Sequence, residues 1–188
     1  PAMNPAMWSH PATQANIATL RERGCAVVEP GCGRTACGEE GQGRLADLRE
    51  IYLAGLRALA PQDMEGIRVM VTLGPTREHW DGLRFWTNPS TGTMGAAVAV
   101  AAWLRGARVE AVCGPGTPWL PAGIARHNVG SARHMLEAAA SVWPQCDAGV
   151  FTAAVADFSP VPPAQGGDKK FKKSDAPDGF DVHFAPNP

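Results

Sequence analysis

Residues 67–78 read IRVMVTLGPTRE, and residues 87–95 read TNPSTGTMG. The run 67–73 is rich in β-branched and apolar residues, which is typical of a strand buried on both faces of a parallel sheet. The glycines, prolines and small polar residues that follow favour a long loop. A helix is predicted from Thr93 to Arg105, and Gly106 ends it. A strand, a loop and a small-residue helix in this order predict an α/β fold.

The same alternation continues downstream. Strands are predicted at Arg108–Cys113, Ala125–Val129 and Asp147–Ala153, and a helix at Ser131–Val142. This alternation predicts a doubly wound, Rossmann-like parallel sheet with right-handed crossovers. A last strand is predicted at Phe180–Phe184, where apolar and polar residues alternate.

Upstream of residue 67 the pattern is different. Helices are predicted at Thr13–Arg23 and Leu45–Leu59, and a short strand at Ala26–Glu29. The glycine-rich stretch Gly31–Arg44 is predicted to be a loop. Because Pro61–Gly66 is polar and contains Pro, Asp and Gly, it is interpreted as a linker between two domains.

Composition excludes several classes of protein. Lys and Arg number 17 and Asp and Glu number 18, so neither nucleic acid nor a membrane surface is expected as a partner. The longest apolar run, Ala96–Leu104, is too short to span a bilayer, and no signal-peptide pattern is present. The cysteine count is odd and no C-x-x-C pair occurs, which predicts a cytoplasmic protein with reduced thiols and no zinc site.

Three features could carry chemistry, and each has a plain structural alternative. The polar residues before Gly92 could bind phosphate at a helix N-terminus or cap that helix. Asp157, at the end of a predicted strand, could hold a metal, a ribose hydroxyl or a cytosine amino group, or lie in a surface turn. The basic segment Asp168–Ser174 could neutralise a triphosphate or be a mobile, solvated loop. The G-x-G-x-x-G and P-loop motifs are both absent.

The order of these features resembles a known family. Residues 67–188 are similar to the phosphopantothenate–cysteine ligase domain of the bifunctional coenzyme A biosynthesis flavoproteins, and are expected to be its N-terminal part. That family carries G-P-T-R-E, S-N-x-S-S-G-K-M-G, A-A-V-A-D, K-x-K-K and N-P-D-I. The matching residues are Gly74–Glu78, Thr87–Gly95, Ala153–Asp157, Lys170–Lys173 and Asn187–Pro188.

The resemblance implies a CTP-dependent amide ligation, with Mg²⁺ as an accompanying ion and no metal ligand assigned in the chain. The carboxylate of 4′-phosphopantothenate attacks the α-phosphate of CTP, an acyl-cytidylate forms, and the amine of cysteine displaces CMP. The resemblance implies catalytic roles for Asn88 at the acyl-cytidylate step and for Lys170 in the second half-reaction. The implied CTP contacts are Thr152, Ala153, Asp157, Lys170, Asn187 and Pro188.

The ligase half also departs from the family. Thr93 stands where the family has lysine, so weaker phosphate binding is expected, and Thr91 replaces a serine. The family's D-P-V-R is Asp81-Gly82-Leu83-Arg84 here. The family's domain continues for about 50 to 60 more residues, which carry further nucleotide contacts and part of a dimer interface, so the full-length protein is expected to be a homo-oligomer.

Residues 1–60 resemble the end of the partner domain, the flavodoxin-like, FMN-dependent phosphopantothenoylcysteine decarboxylase. Pro1–Trp8 matches P-x-M-N-x-x-M-W, and Ala36–Arg44 matches the lid A-C-G-D/E-x-G-x-G-R. The resemblance implies that Asn4 binds the substrate carboxylate and that Cys37 donates the proton that completes an oxidative decarboxylation to 4′-phosphopantetheine. A glycine-rich flap suits closure over a flavin pocket. Outside this lid sequence, Cys37 would be an ordinary loop thiol.

Two other interpretations remain at this stage. One is a non-catalytic binding or regulatory relative of the flavoprotein, and the other is an unrelated Rossmann nucleotide-binding enzyme. Both ends of the chain look like cuts in a longer protein, since residue 1 is Pro and Asn187-Pro188 interrupts a motif. The 188-residue chain alone is therefore expected to show negligible turnover in either reaction.

Overall fold

A computed structural model of the chain describes residues 1–163, 169–176 and 178–188. The chain divides into two compact units, Pro1–Pro61 (unit 1) and Gln62–Pro188 (unit 2). The predicted mobile loop Asp168–Ser174 is covered only in part, because Asp168 lies outside the described residues.

Unit 1, whose residues are all described, contains three helices and one β-hairpin. Its elements are α1 (Pro5–Ser9), α2 (Pro11–Glu22), β1 (Gly31–Arg34), β2 (Glu40–Arg44) and α3 (Leu48–Leu59). The prediction of a loop at Gly31–Arg44 was wrong, because β1 and β2 pair antiparallel. The predicted strand Ala26–Glu29 was also wrong, since the described residues 26–29 adopt no regular structure.

The glycines of the hairpin let the N-terminal segment lie directly against it. The amide of Met3 donates to the carbonyl of Gly43 over 2.8 Å. A Cβ atom on Gly43, where φ is +151°, would collide with the carbonyl oxygen of Met3. Glycine is therefore required at this position by close approach of the backbone as well as by conformation.

Unit 2 is built around a four-stranded parallel sheet in the order β7-β6-β3-β8. Its helices and strands, within the described residues, are β3 (Arg68–Leu73), β4 (Arg77–His79), β5 (Phe85–Thr87), α4 (Thr93–Leu104), β6 (Arg108–Cys113), β7 (Ala125–Asn128), α5 (Ala132–Val142), β8 (Ala148–Phe151), β9 (Phe158–Pro160) and β10 (Phe184–Pro186). The predicted α/β fold with a Rossmann-like parallel sheet is confirmed.

Helices cover both faces of the sheet. On one face the odd-numbered residues of β3 pack with the alanines of α4, and on the other Met70 packs with α5. The first cluster includes Val69, Val71, Leu73, Ala96, Ala99 and Ala102. The second includes Met70, Val112, Met135 and Val142. This two-sided burial explains why Val69, Met70, Val71 and Leu73 of β3 are apolar, with Thr72 as the one buried polar residue of the strand.

The strand order reverses at β3. Strands β6 and β7 are added on one side of β3, and the later strand β8 is added on its other side. In open α/β sheets, ligands bind outside the carboxyl ends of the strands at such a reversal. Here the carboxyl ends are those of β3 at Leu73 and of β8 at Phe151.

Two antiparallel pairs flank the sheet in unit 2. Strand β4 pairs with β5, and β9 pairs with β10. The last predicted strand was misplaced, because the paired residues are Phe184–Pro186 rather than Phe180–Phe184, and β9 was not predicted. Across the described residues, no helix combines the length and the apolarity needed to cross a membrane.

Candidate functional site

The segment after β8 runs beside the segment after β3. The amide of Thr152 donates to the carbonyl of Thr72 over 3.0 Å, and the amide of Ala154 donates to the carbonyl of Gly74 over 2.9 Å. Pro75 and Ala154 then form a parallel bridge. The parallel pairing therefore continues beyond the ends of β3 and β8. It places residues 152–157 at the carboxyl ends of these strands.

Glycines bring the start of α4 against the same edge. A Cβ on Gly95 would overlap the hydroxyl oxygen of Thr152 and lie 2.5 Å from the Cβ of Leu73. Gly92, the N-cap, has φ +71°, and α4 has no side-chain cap hydrogen bond there. The amide of Thr93, the first of α4, donates to the hydroxyl of Thr91 over 3.4 Å, and the amides that follow it have no side-chain acceptor at the N-cap, which is the usual setting for anion binding.

Asn88 holds the segment that follows β8. Its side-chain nitrogen donates to the carbonyl of Val155 over 3.1 Å and to the carbonyl of Ala154 over 3.4 Å. The residue is half-buried. The side chain thus joins the loop before α4 to the residues matching A-A-V-A-D.

Asn187 holds the same segment from the other end of unit 2. Its side-chain nitrogen donates to the carbonyl of Ala156 over 2.6 Å, and its amide donates to the carbonyl of Asp157 over 2.9 Å. We call the group formed by Asn88, residues 152–157 and Asn187 the switch-point cluster. Of the predicted site residues, the cluster contains Asn88, Thr152, Ala153, Asp157 and Asn187.

Two predicted residues lie outside this cluster. Pro188 is exposed beside Asn187. Lys170 is exposed too, and no hydrogen bond within the described part of the chain joins it to the cluster. Its neighbour Phe171 is anchored instead on residues near β4, since the amide of Phe171 donates to Asp81 over 3.0 Å.

A buried carboxylate that was not predicted as a site residue supports the cluster. Glu78 is 5% exposed and accepts from the amide of Ala132, the first residue of α5, over 2.9 Å. Its second oxygen accepts from the hydroxyl of Ser159 over 3.0 Å, and that hydroxyl also contacts the side chain of Asn187. Glu78 could have been singled out from the sequence because it is the last residue of the G-P-T-R-E motif. The motif alone does not reveal that Glu78 contacts Ala132 and Ser159.

In unit 1, the structure brings together the two predicted residues, Asn4 and Cys37. The side-chain oxygen of Asn4 caps α1 by accepting from the amide of Ala6 over 2.7 Å. Its nitrogen then points to the Cys37 sulfur at 3.9 Å and also donates to the Glu39 carboxylate. Asn4 and Cys37 both line a cavity of about 480 Å³.

The thiol of Cys37 lies in the open and is polarised by its neighbours. Its sulfur is 3.1 Å from the hydroxyl oxygen of Thr35. This hydrogen bond, with a smaller contribution from the backbone of Glu39, lowers the pKa of the Cys37 thiol below its usual value. A lower pKa makes it easier for this sulfur to give up its proton.

Comparisons with known proteins agree with this two-part arrangement. Residues 64–188 match the family described as the DNA/pantothenate metabolism flavoprotein C-terminal domain. Residues 1–56 match the family described as Flavoprotein.

Curated relatives cover both units. The coenzyme A biosynthesis bifunctional protein CoaBC of Vibrio parahaemolyticus is 39% identical over 188 residues, which is all of this chain and 46% of that protein. The protein of the same name from Bacillus subtilis is 44% identical over 179 residues, which is 93% of this chain and 43% of that protein. The chain thus spans about half the length of the curated relatives it matches.

Solved structures share the fold. The crystal structure of the C-terminal domain of a CoaBC protein matches with a TM-score of 0.50 and 42% identity, over 53% of this chain and 52% of that chain. The DNA/pantothenate metabolism flavoprotein from Streptococcus pneumoniae matches with a TM-score of 0.55 and 17% identity, over 65% of this chain and 61% of that chain.

Proposed function

Because the chain belongs to the family of the DNA/pantothenate metabolism flavoprotein C-terminal domain, we propose that unit 2 contributes a CTP-dependent phosphopantothenate–cysteine ligase site to coenzyme A biosynthesis. The observation that carries this proposal is the switch-point cluster. Asn88 and Asn187 hold residues 152–157 from two sides at the carboxyl ends of the strands, where α/β sheets bind nucleotides. The domain proposed for this role is 67–188, with 61–66 as its linker.

The proposed reaction has two steps. A carboxylate oxygen of 4′-phosphopantothenate attacks the α-phosphorus of CTP, and the bond to pyrophosphate breaks. The amine of cysteine then attacks the acyl carbon, the amide forms, a proton is released, and CMP leaves. Both steps develop negative charge on phosphate oxygens, which the amides at the start of α4 and the ammonium of Lys170 are suited to stabilise.

The nucleotide contacts follow from the cluster. Thr152, Ala153 and Asp157 lie at the sheet edge, Asn187 binds the carbonyl of Ala156 between them, and Pro188 follows Asn187 outside the cluster. We assign them to CTP. Within the described residues, no group of three or more His, Cys, Asp or Glu side chains forms a metal site. Mg²⁺ therefore fits best as an ion that arrives on the phosphates of CTP, as is usual for this cation.

For unit 1 we propose a part in the decarboxylation of the ligation product, with 1–60 as the C-terminal part of that domain. FMN, when bound, would supply the oxidation that accompanies the loss of CO₂. Asn4 and Cys37 suit the two remaining tasks, which are to bind the substrate carboxylate and to deliver a proton. The amide of Asn4 binds a carboxylate without adding charge, and the polarised thiol of Cys37 delivers one proton.

CMP release by the intact protein tests the ligase proposal. Purified protein is mixed with CTP, 4′-phosphopantothenate and cysteine, and CMP and the amide product are quantified together. We expect both products in equal amounts and neither when one substrate is left out. Asp63→Asn, which breaks a surface ion pair to Arg105, serves as the matched control and should retain activity. Absence of CMP from the unaltered protein would instead favour a non-catalytic relative.

A further inference from the structure

The loop between β4 and β5 contains a buried carboxylate that the proposed reaction does not use. Asp81 is 1% exposed. One of its oxygens, Oδ1, accepts from the amides of Leu83 at 2.8 Å and Arg84 at 2.6 Å, which closes a local turn. The other, Oδ2, accepts from the guanidinium of Arg84 at 2.7 Å and from the amide of Phe171 at 3.0 Å. The second oxygen therefore reaches a segment 90 residues away.

The backbone of Phe171 is held at both of its polar groups. Its amide donates to Asp81, and its carbonyl accepts from the guanidinium of Arg84 at 3.2 Å. The ring is held as well, with its centroid 5.2 Å from that of Trp80 and 5.0 Å from that of Phe180. Phe171 is therefore fixed twice. Its backbone binds both members of the Asp81–Arg84 ion pair, and its ring packs in an aromatic cluster.

The anchored residue lies in the middle of the lysines. Lys169 and Lys170 precede Phe171 and Lys172 follows it, and all three are exposed. Adjacent Cα atoms are about 3.8 Å apart, so fixing Phe171 limits where the neighbouring ammonium groups can reach. We call residues Lys169–Lys172 the lysine segment.

The carboxylate of Asp81 stays ionised at every pH at which the enzyme would work. Burial raises the pKa of Asp81, but the amides of Leu83, Arg84 and Phe171 and the charge of Arg84 outweigh it and hold the pKa at about 2. An ionised carboxylate offers only acceptors, which suits four incoming N–H groups.

We propose that Asp81 is a positioning residue that acts through Phe171 to hold the lysine segment where its ammonium groups meet the phosphates of CTP. The proposal rests on the proposed ligase function. A free lysine loop would have to be ordered each time the nucleotide binds, at a cost in conformational entropy. The tether from Asp81 removes part of that cost beforehand, so it should act mainly on nucleotide affinity.

Asp81→Asn is the sharpest variant. The amide oxygen of asparagine can still accept from Leu83 and Arg84 and keep the turn. Its NH₂ group would face two donors, the amide of Phe171 and the guanidinium of Arg84, so both long-range contacts fail. Asp63→Asn, which breaks the exposed pair with Arg105 elsewhere in unit 2, is the matched control.

Limited digestion with trypsin tests the contact between Asp81 and Phe171 directly, and it needs no ligase substrate. Cleavage after Lys169, Lys170 and Lys172, followed by mass spectrometry, should be about tenfold faster in Asp81→Asn, because losing a hydrogen bond to a charged group makes local opening easier. The control should be cut at the unaltered rate. Equal rates in Asp81→Asn and the unaltered protein would overturn the tether and the proposal with it.

Steady-state kinetics separate positioning from general damage. In the intact protein, Asp81→Asn should raise KM for CTP about tenfold and leave KM for 4′-phosphopantothenate unchanged. Combined with Lys170→Gln, Asp81→Asn should add less than it does alone, because both act through the same segment. Faster cleavage with an unchanged KM for CTP, or full additivity of the two variants, would overturn the positioning role. Failure of ligation in the unaltered protein would overturn the ligase function itself, while trypsin would still report on the tether.

Discussion

The two units hold their chemical groups by different means. In unit 2 the switch-point cluster lies at the edge of a parallel sheet whose central strand is fully buried, from Val69 to Leu73. In unit 1 the large buried apolar side chains of the described residues are Trp8 and Ile17, and α3 buries none. Asn4 and Cys37 are placed by a helix cap, a hairpin and short polar contacts. Site geometry in unit 2 thus depends on tertiary packing, and in unit 1 on local backbone contacts.

A Leu→Ala substitution in each unit should show the largest difference between the two units in the free energy of unfolding. Leu73→Ala removes a side chain that is 0% exposed, and we expect a loss of about 2–5 kcal/mol in the free energy of unfolding, from lost burial and the cavity left behind. Leu59→Ala in α3, where the side chain is 86% exposed, should change it by about 0.5 kcal/mol or less. Urea unfolding of the two variants measures both, and similar losses would contradict the difference in burial.

A backbone change should have the next largest effect, and in unit 1. Gly43→Ala places a Cβ on the carbonyl of Met3 at a positive φ, so we expect a local penalty of about 1–3 kcal/mol. Amide exchange of Met3, which donates to Gly43, should speed up accordingly. Gly38→Ala has φ +86° but no neighbour within 4 Å of its Cβ, and it is the matched control. Equal exchange rates in the two variants would rule out close approach as the reason for glycine.

The sequence predicted those helices and strands that leave a pattern in neighbouring residues. It missed elements that depend on contacts with distant residues. The apolar, β-branched run predicted β3, because a strand buried on both faces needs apolar residues on both. The order of strand-like and helix-like segments after it predicted β6 and α5. The hairpin β1–β2 was missed, because the glycines of GCGR and EGQGR hide any alternation, and Gly43 is required by its contact with Met3 rather than by a local pattern.

The candidate site was predictable only as separate motifs. Asn88 and Asn187 were singled out by the family motifs, but their shared contact with residues 154–157 needs the fold, since 66 residues separate Asn88 from Ala154. Asp81 was noted only as part of a variant D-P-V-R. Its partner Phe171 is 90 residues away, and no local pattern connects the two.

The smallest expected effect concerns the thiol of unit 1. Thr35→Val removes the hydrogen bond that lowers the pKa of Cys37, so that pKa should rise and the thiolate fraction at neutral pH should fall. Alkylation of Cys37 by iodoacetamide should slow by up to roughly tenfold at pH 7, and its pH profile should move to higher pH. Exposed Cys25, followed by mass spectrometry in the same sample, is the internal control. An unchanged profile for Cys37 would contradict the assigned cause.

The central claim is that the two units serve two separate active sites, and a crossed assay of two variants tests it most directly. In the intact protein, Asn88→Asp places a carboxylate against the carbonyls of Ala154 and Val155, and Cys37→Ser removes the acidic thiol. Each variant is assayed for CMP release and for formation of 4′-phosphopantetheine from phosphopantothenoylcysteine. We predict that Asn88→Asp abolishes CMP release and retains formation of 4′-phosphopantetheine, and that Cys37→Ser does the reverse. Parallel loss of both activities in either variant would contradict the account.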